Sequence, residues 1–363
     1  MGMTEKFKVK SSKLKVLKTY AFYASALLLF CSIFILSACS PQKEKVYRKS
    51  KILMDTIITV NVVSHSAEDA NRAIEQAFSE IKKLDKFLNF FSDKSELSEI
   101  NRNAGKKPVR VSRDTFEVIE KAIHSSEKTN RAFDITIGPL ISLWDFHNKV
   151  KPEEKTIRQK IRLVNYKDII LDKNASSVYL NKKGMRIDLG GIAKGYAADK
   201  AVAAMKRNGI KSGLVSIAGD IKAFGLKPDG KPWKIGIRNS RPANEDDDIM
   251  ATIELTDMAI STAGDYERYF IIDNKRYHHI LDPKTGYPAD KCRSVSIIAK
   301  DGFITDSFST GIFILGAEKG IKLLEDMGID GIIVDKDGKI HTTKNLRGKI
   351  EFTKDQQGRK RNN

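Results

Sequence analysis

The chain has 363 residues, 41% hydrophobic and 30% charged, with 64 Lys+Arg against 46 Asp+Glu and a formal net charge of +18. That balance fits a globular protein with a basic excess and excludes disorder, a collagen-like repeat and a multi-span membrane protein. The basic stretch Lys344–Asn363 has no interleaved aromatic residue beyond Phe352, so it reads as a solvated tail or a face drawn to anionic lipid, not as a nucleic-acid site.

Residues 1–18 are lysine-rich, and Tyr20–Ala38 is an apolar run without a charge. The length would also suit an uncleaved membrane anchor. Leu36-Ser37-Ala38-Cys39 favours export: small residues before a cleavage point and a cysteine directly after it resemble the bacterial lipobox. The expectation is a signal peptide over 1–38, a lipidated Cys39, a tether over 39–50, a catalytic domain over 51–343 and a tail over 344–363. The domain would then sit on the extracytoplasmic face of a bacterial membrane. Of the three cysteines, Cys31 lies in the apolar run and Cys39 carries lipid, so Cys292 has no partner for an internal disulfide and reads as a bystander.

Met54–Val63 is rich in β-branched residues and predicts a strand. Ser66 can cap a helix with apolar positions Ala73, Ile74, Ala77, Phe78, Ile81, Leu84 and Leu88, and a second helix follows Ser112. A third, Ala-rich helix runs from about Ala193 to Asn208 and stops at Gly209. Beyond it come strands at Leu214–Ile217, Trp233–Arg238, Met250–Leu255, Arg268–Asp273, Tyr277–Leu281, Ser294–Lys300 and Ile332–Asp335, with short helices at Asp306–Leu315 and Ala317–Met327. Adjacent strands with helices grouped apart predict an α+β fold with largely antiparallel sheets flanked by helices, and any two lobes packed closely together.

Three motifs carry chemistry. In Asp188-Leu-Gly-Gly-Ile-Ala-Lys-Gly-Tyr-Ala-Ala-Asp199, Gly190 and Gly191 bring backbone close to a ligand at a helix start and Lys194 adds charge, which suits either phosphate binding or tight helix packing. In Thr305-Asp306-Ser307-Phe308-Ser309-Thr310, Asp306 and Thr310 stand one helical turn apart and offer hard oxygens to Mg²⁺, unless Asp306 or Thr305 merely caps the helix. In His279-Ile-Leu-Asp282-Pro283, His279 could serve as a general base or could be structural, and the adjacent His278 would face the other way.

Taken in order with Met54-Asp-Thr56, Ser95–Asn101, Phe133–Thr136 and Ser261–Tyr266, these segments resemble the FAD:protein FMN transferases, the ApbE family, over about residues 50–340. The resemblance implies an ApbE-like fold with the site between two lobes. It also implies an Mg²⁺-dependent transfer of FMN from FAD to a Thr or Ser hydroxyl of an extracytoplasmic acceptor protein, releasing AMP. It assigns metal ligation to Asp306, Thr310 and the Gly191 carbonyl, flavin-nucleotide contacts to Met54, Phe91, Ala132, Phe133, Asp134, Asp188, Lys194 and Leu281, and the base to His279. Candidate acceptors are subunits of sodium-pumping NADH:quinone reductase or Rnf-type complexes and extracellular flavin reductases. Phe91 in place of a tyrosine, Ala218 before Gly219 and Ala263 before Gly264 depart from the family pattern. An FAD pyrophosphatase and a non-catalytic FAD-binding lipoprotein are the competing readings.

Overall fold

The computed structural model describes residues 43–242 and 247–353. The expected signal peptide, Cys39 and the last ten residues lie outside them. Two strands, Lys45–Leu53 (β1) and Thr56–Ser64 (β2), pair antiparallel in a register that leaves Met54 and Asp55 as a two-residue turn. Both turn residues have positive φ, 53° and 56°, the handedness that matches the twist of a tight hairpin. Two expectations change here. The strand starts after Met54-Asp55, and the tether over 39–50 is already strand from Lys45. β1 escaped notice because it is an edge strand, exposed except at Tyr47 and Leu53, so it carries lysines where an inner strand would alternate apolar and polar.

Helix α1 (Ala67–Leu88) follows, with the Ser66 side chain accepting from Asp69 N, as expected. Then come α2 (Glu96–Arg102) and α3 (Arg113–Lys128), the latter capped by Ser112. A small sheet of β3 (Val109–Arg110), β5 (Ser177–Leu180) and β4 (Ile169–Asp172) was not anticipated, and neither were the short helices α4 (Gly138–Ile141) and α5 (Glu154–Lys160). The Ala-rich helix is α6 (Ala193–Arg207).

The remaining strands are β6 (Ser212–Ile217), β7 (Asp220–Phe224), β8 (Trp233–Arg238), β9 (Ile249–Leu255), β10 (Ala259–Gly264), β11 (Tyr269–Ile272), β12 (Lys275–His278), β13 (Cys292–Ala299), β14 (Asp330–Asp335), β15 (Ile340–Thr342) and β16 (Ile350–Phe352). Helices α7 (Gly302–Leu315) and α8 (Ala317–Asp326) lie between β13 and β14. The principal sheet has the order β1-β2-β6-β7-β10-β13-β14-β15, and every adjacent pair is antiparallel, as expected. From Glu44 onward the chain clusters as one compact unit, so the expected lobes are layers of a single body.

Alternation within the strands sorts the core into layers. Ile58, Val60, Val62, Val215 and Ile217 join α1 and α6, while Val295, Ile297 and Ile333 join α7 and α8. On the opposite face Leu214, Ala223, Ile260, Ile298 and Ile332 meet a second sheet, β16-β9-β8. β16 lies within the expected tail, which is therefore ordered at least to residue 353.

Two further boundaries matter to the site. Ser261–Tyr266, for which no strand was expected, lies mostly in the inner strand β10. Helix α7 starts four residues before Asp306 and places that carboxylate inside the helix, which removes the capping alternative. At position 55 the left-handed backbone suits glycine better than aspartate, so Asp55→Gly should gain about 0.5–1 kcal/mol in urea unfolding at constant m-value. A lowered midpoint would contradict this account of the turn.

Candidate active site

Two helices and one strand meet at the candidate site. Gly195 on α6 faces Gly302 at the start of α7. A Cβ at 195 would collide with Gly302 O and lie 2.8 Å from Asp306 Cβ, and a Cβ at 302 would lie 2.5 Å from Gly195 O. Backbone therefore meets backbone, and the Gly195 amide donates to Asp306 Oδ2 at 3.0 Å. From the neighbouring position Lys194 Nζ reaches Asp220 Oδ2 at 3.1 Å, Asp306 Oδ1 at 3.6 Å and Gly190 O at 3.2 Å. Asp220 opens β7, just after the Ala218-Gly219 turn whose φ values of 50° and 92° place both residues in the left-handed region.

Charge follows this geometry. Burial pushes the Asp306 carboxyl upward and the like charge of Asp220 adds to it, while Lys194 and the Gly195 amide oppose the shift. Burial disfavours the Lys194 ammonium, but Asp220 and Asp306 outweigh it and raise its affinity for the proton. Two carboxylates against one ammonium leave the cluster short of one positive charge when all three are ionised.

Gly191 lies where a Cβ would sit 3.1 Å from the Phe133 ring and 3.4 Å from Thr310 Oγ1. A side chain there would fill the space beside the hydroxyl, so the glycine keeps open a cradle bounded by Thr310 and the Phe133 ring. Asp306 lies one turn before Thr310 on α7, and a carboxylate and a hydroxyl with unbalanced negative charge nearby are donors that fit a hard divalent cation. Among the described residues no group of three His, Cys, Asp or Glu side chains could hold a metal by itself.

His279 follows β12, with its backbone amide donating to Arg268 O at 3.1 Å. Its Nδ1 is buried and has no partner among the described residues. Burial, with Arg268 and then His278 nearby, pushes the imidazole down to about 3, so the ring is neutral near physiological pH. His278 is tied up differently. Its Nε2 donates to Ala289 O at 2.7 Å, its Nδ1 accepts from Ile280 N, and its ring meets Phe313 edge-on. The two adjacent histidines therefore differ in their hydrogen bonds.

The other predicted residues fall into two groups. Asp188 is half-buried, with its amide on Ile135 O and its Oδ1 accepting from Gly190 N at 2.6 Å. Burial raises its carboxyl against the pull of that amide and of Arg268, Arg186 and Lys194. Ala132 and Phe133 are buried beside α7, and Leu281 is buried in a bridge to Pro288. Asp134 is spent on the chain itself, accepting from Thr136 N, Thr136 Oγ1 and Tyr166 N. Met54 and Phe91 are joined to each other through Asp85 and Asn89. Asp85 accepts from Met54 N and from Asn89 Nδ2, Asn89 Oδ1 accepts from Phe91 N, and the Phe91 side chain is 77% exposed next to Phe90, which lies under Arg186. Cys292 is buried and its thiol is pushed up to about 12 by burial, in keeping with a bystander.

Sequence reasoning missed two residues. Asp220 was not singled out, although its place directly after Gly219 was a signal. Arg268, whose charge acts on Asp188, Lys194 and His279 alike, had none.

The sequence matches the ApbE family over residues 54–333. The chain belongs to the ApbE family. Among its relatives is a Klebsiella pneumoniae protein named FAD:protein FMN transferase, 35% identical over 301 residues that cover 82% of this chain and 92% of that one. A Treponema pallidum protein of the same name is 29% identical, covering 92% of this chain and 97% of its own. The crystal structure of the ApbE protein from Thermotoga maritima superposes with a TM-score of 0.78 at 33% identity, covering 84% of this chain and 98% of that one. The apo flavinyl transferase ApbE of Pseudomonas stutzeri gives 0.75 at 28% identity, with 85% and 97% covered. In this ApbE-family chain, Gly195→Ala should force α7 away from α6. We expect a loss of about 1–3 kcal/mol and of most activity, read by denaturant unfolding and turnover; a variant of wild-type stability and rate would refute the close contact.

Proposed function

We propose that the chain is an Mg²⁺-dependent FAD:protein FMN transferase. The observation that carries this reading is the approach of two segments, with Lys194 on Asp306 and Gly191 beside Thr310, and a neutral His279 whose electrostatic neighbours include Lys194. Asp306, Thr310 and the Gly191 carbonyl would hold Mg²⁺, which when bound neutralises charge on the diphosphate of FAD. Lys194 contributes a fixed positive charge to the same region. Asp188, Met54, Phe91, Ala132, Phe133, Asp134 and Leu281 would flank the flavin nucleotide.

The reaction balances simply. The acceptor's Thr or Ser oxygen forms a bond to the FMN phosphorus, the bond from that phosphorus to the bridging oxygen breaks, and AMP leaves. His279 takes the hydroxyl proton; burial and the Arg268 charge keep its ring neutral and also weaken it as a base, so it acts by its position at the hydroxyl. Water competes for the same phosphorus. Free FMN formed at equal rates with and without acceptor would therefore mark a pyrophosphatase instead, and FAD held without turnover would mark a carrier. The proposed acceptors are membrane electron-transfer subunits and extracellular flavin reductases. The proposed location is the extracytoplasmic membrane face, with lipid on Cys39; β1 begins six residues later, a reach of at most roughly 20 Å.

Intact-mass analysis of a candidate acceptor after incubation with the protein, FAD and Mg²⁺ tests the reading directly. The expected result is a gain matching FMN together with AMP release, and neither product would end it. His279→Ala should lower transfer about 10²–10⁴-fold while FAD binding stays within a few-fold, and wild-type kcat/KM should show no His279 inflection near pH 6.5. A variant of near wild-type rate would remove His279 from the chemistry. Because the Asp306 proton must leave before a cation binds, the Mg²⁺ concentration for half-activity should fall as pH rises from 6 to 8; an opposite trend would argue against Asp306 as a ligand.

A further inference from the structure

A second set of contacts runs beside the Asp220–Lys194–Asp306 row. Helix α7 begins without a cap of its own: Asp301 makes no side-chain capping bond, and the first turn contains no acidic residue. Its free donors are instead taken by Asp199, the last residue of the glycine-rich motif, which lies on α6. Asp199 Oδ1 accepts from Gly302 N at 2.9 Å and Oδ2 from Phe303 N at 3.1 Å. Lys222 on β7 pairs with the same carboxylate at 3.1 Å and donates to Lys300 O in the segment that leads into α7. Burial pushes the Asp199 carboxyl upward, and Lys222 and the two amides oppose it.

The spacing of the two rows matches. Asp220 and Lys222 are two apart on a strand and share a face, a separation of about 6–7 Å. Gly195 and Asp199 on α6, and Gly302 and Asp306 on α7, are each four apart on a helix, about 6 Å along its axis. The rows have opposite order of sign: carboxylate, ammonium, carboxylate in one, and ammonium, carboxylate, helix amides in the other. A slip of α7 by one turn, about 5.4 Å, would break both rows together.

We propose that Asp199, held by Lys222, is a positioning residue that sets the register of α7 on α6 and so keeps Asp306 and Thr310 opposite Gly191. The inference rests on the metal-dependent reading of the site for its functional consequence but not for its structural one. The variants are Asp199→Asn and Lys222→Met. Amide hydrogen exchange without any ligand should be at least tenfold faster at Gly302 and Phe303 in Asp199→Asn, and faster to a smaller degree in Lys222→Met. In flavin transfer, half-saturating Mg²⁺ should rise about tenfold in Asp199→Asn, while KM for FAD at saturating Mg²⁺ stays within threefold. Wild-type exchange in both variants would overturn the proposal, and so would faster exchange with an unchanged Mg²⁺ requirement, since the pair would then be a cap without influence on the site. If Asp199→Asn does not fold, Lys222→Met decides by the same two readouts. If the wild-type protein transfers no flavin, the functional reading fails, and amide exchange alone decides whether the pair holds the helix.

Discussion

The structure depends on one close approach, that of Gly195 on α6 to Gly302 on α7. Because neither position carries a side chain, two backbones meet, and the Asp306 carboxylate can accept a hydrogen bond from the Gly195 amide while Lys194 reaches across to it. The helices come from segments far apart in the sequence, Ala193–Arg207 and Gly302–Leu315, and they pack on the same face of the principal sheet that carries Asp220. Everything assigned to the candidate site hangs from that contact: the carboxylate pair, the ammonium between them, and the open space beside Gly191 and Thr310.

Electrostatics and packing serve one another in this region. A buried pair of carboxylates is costly unless paired, and Lys194 supplies the pairing here without fully balancing the charge. With all three groups ionised the residual negative charge suits a cation, and Arg268 adds positive charge to the same region. Arg268 also helps keep His279 neutral, which links the charge that attracts an anion to the protonation state of the proposed base.

Much of the fold could be read from periodicity because burial on one face imposes it. The apolar positions of α1 and the alternation in β8 and β9 are examples, and their expected boundaries were close. The failures share a cause. β1 is an edge strand, whose lysines protect it from pairing with other chains, so it lacks the alternation of an inner strand. β10 is an inner strand that, apart from Ile260, is built of Ala, Ser, Thr and Gly, small residues that let α7 approach but give no apolar alternation. The site residues followed a similar division: Asp306, Thr310, Lys194 and Gly191 stood in dense motifs, whereas Asp220 and Arg268 gained meaning only from their neighbours.

The sequence by itself determined the chemistry on offer, since a carboxylate one turn from a hydroxyl, a glycine pair before a helix and a histidine at a strand end are local facts, and it determined the family through their order. It also determined the α+β class, because strand and helix periods are local. Only the tertiary structure decided which of these groups meet, that Asp306 lies within a helix and not at its cap, that the cap comes from Asp199, and that among the described residues His279 and not His278 has a ring nitrogen without a partner. Hydrogen-bond partners and burial are properties of distant segments brought together, and no spacing along a chain encodes them directly.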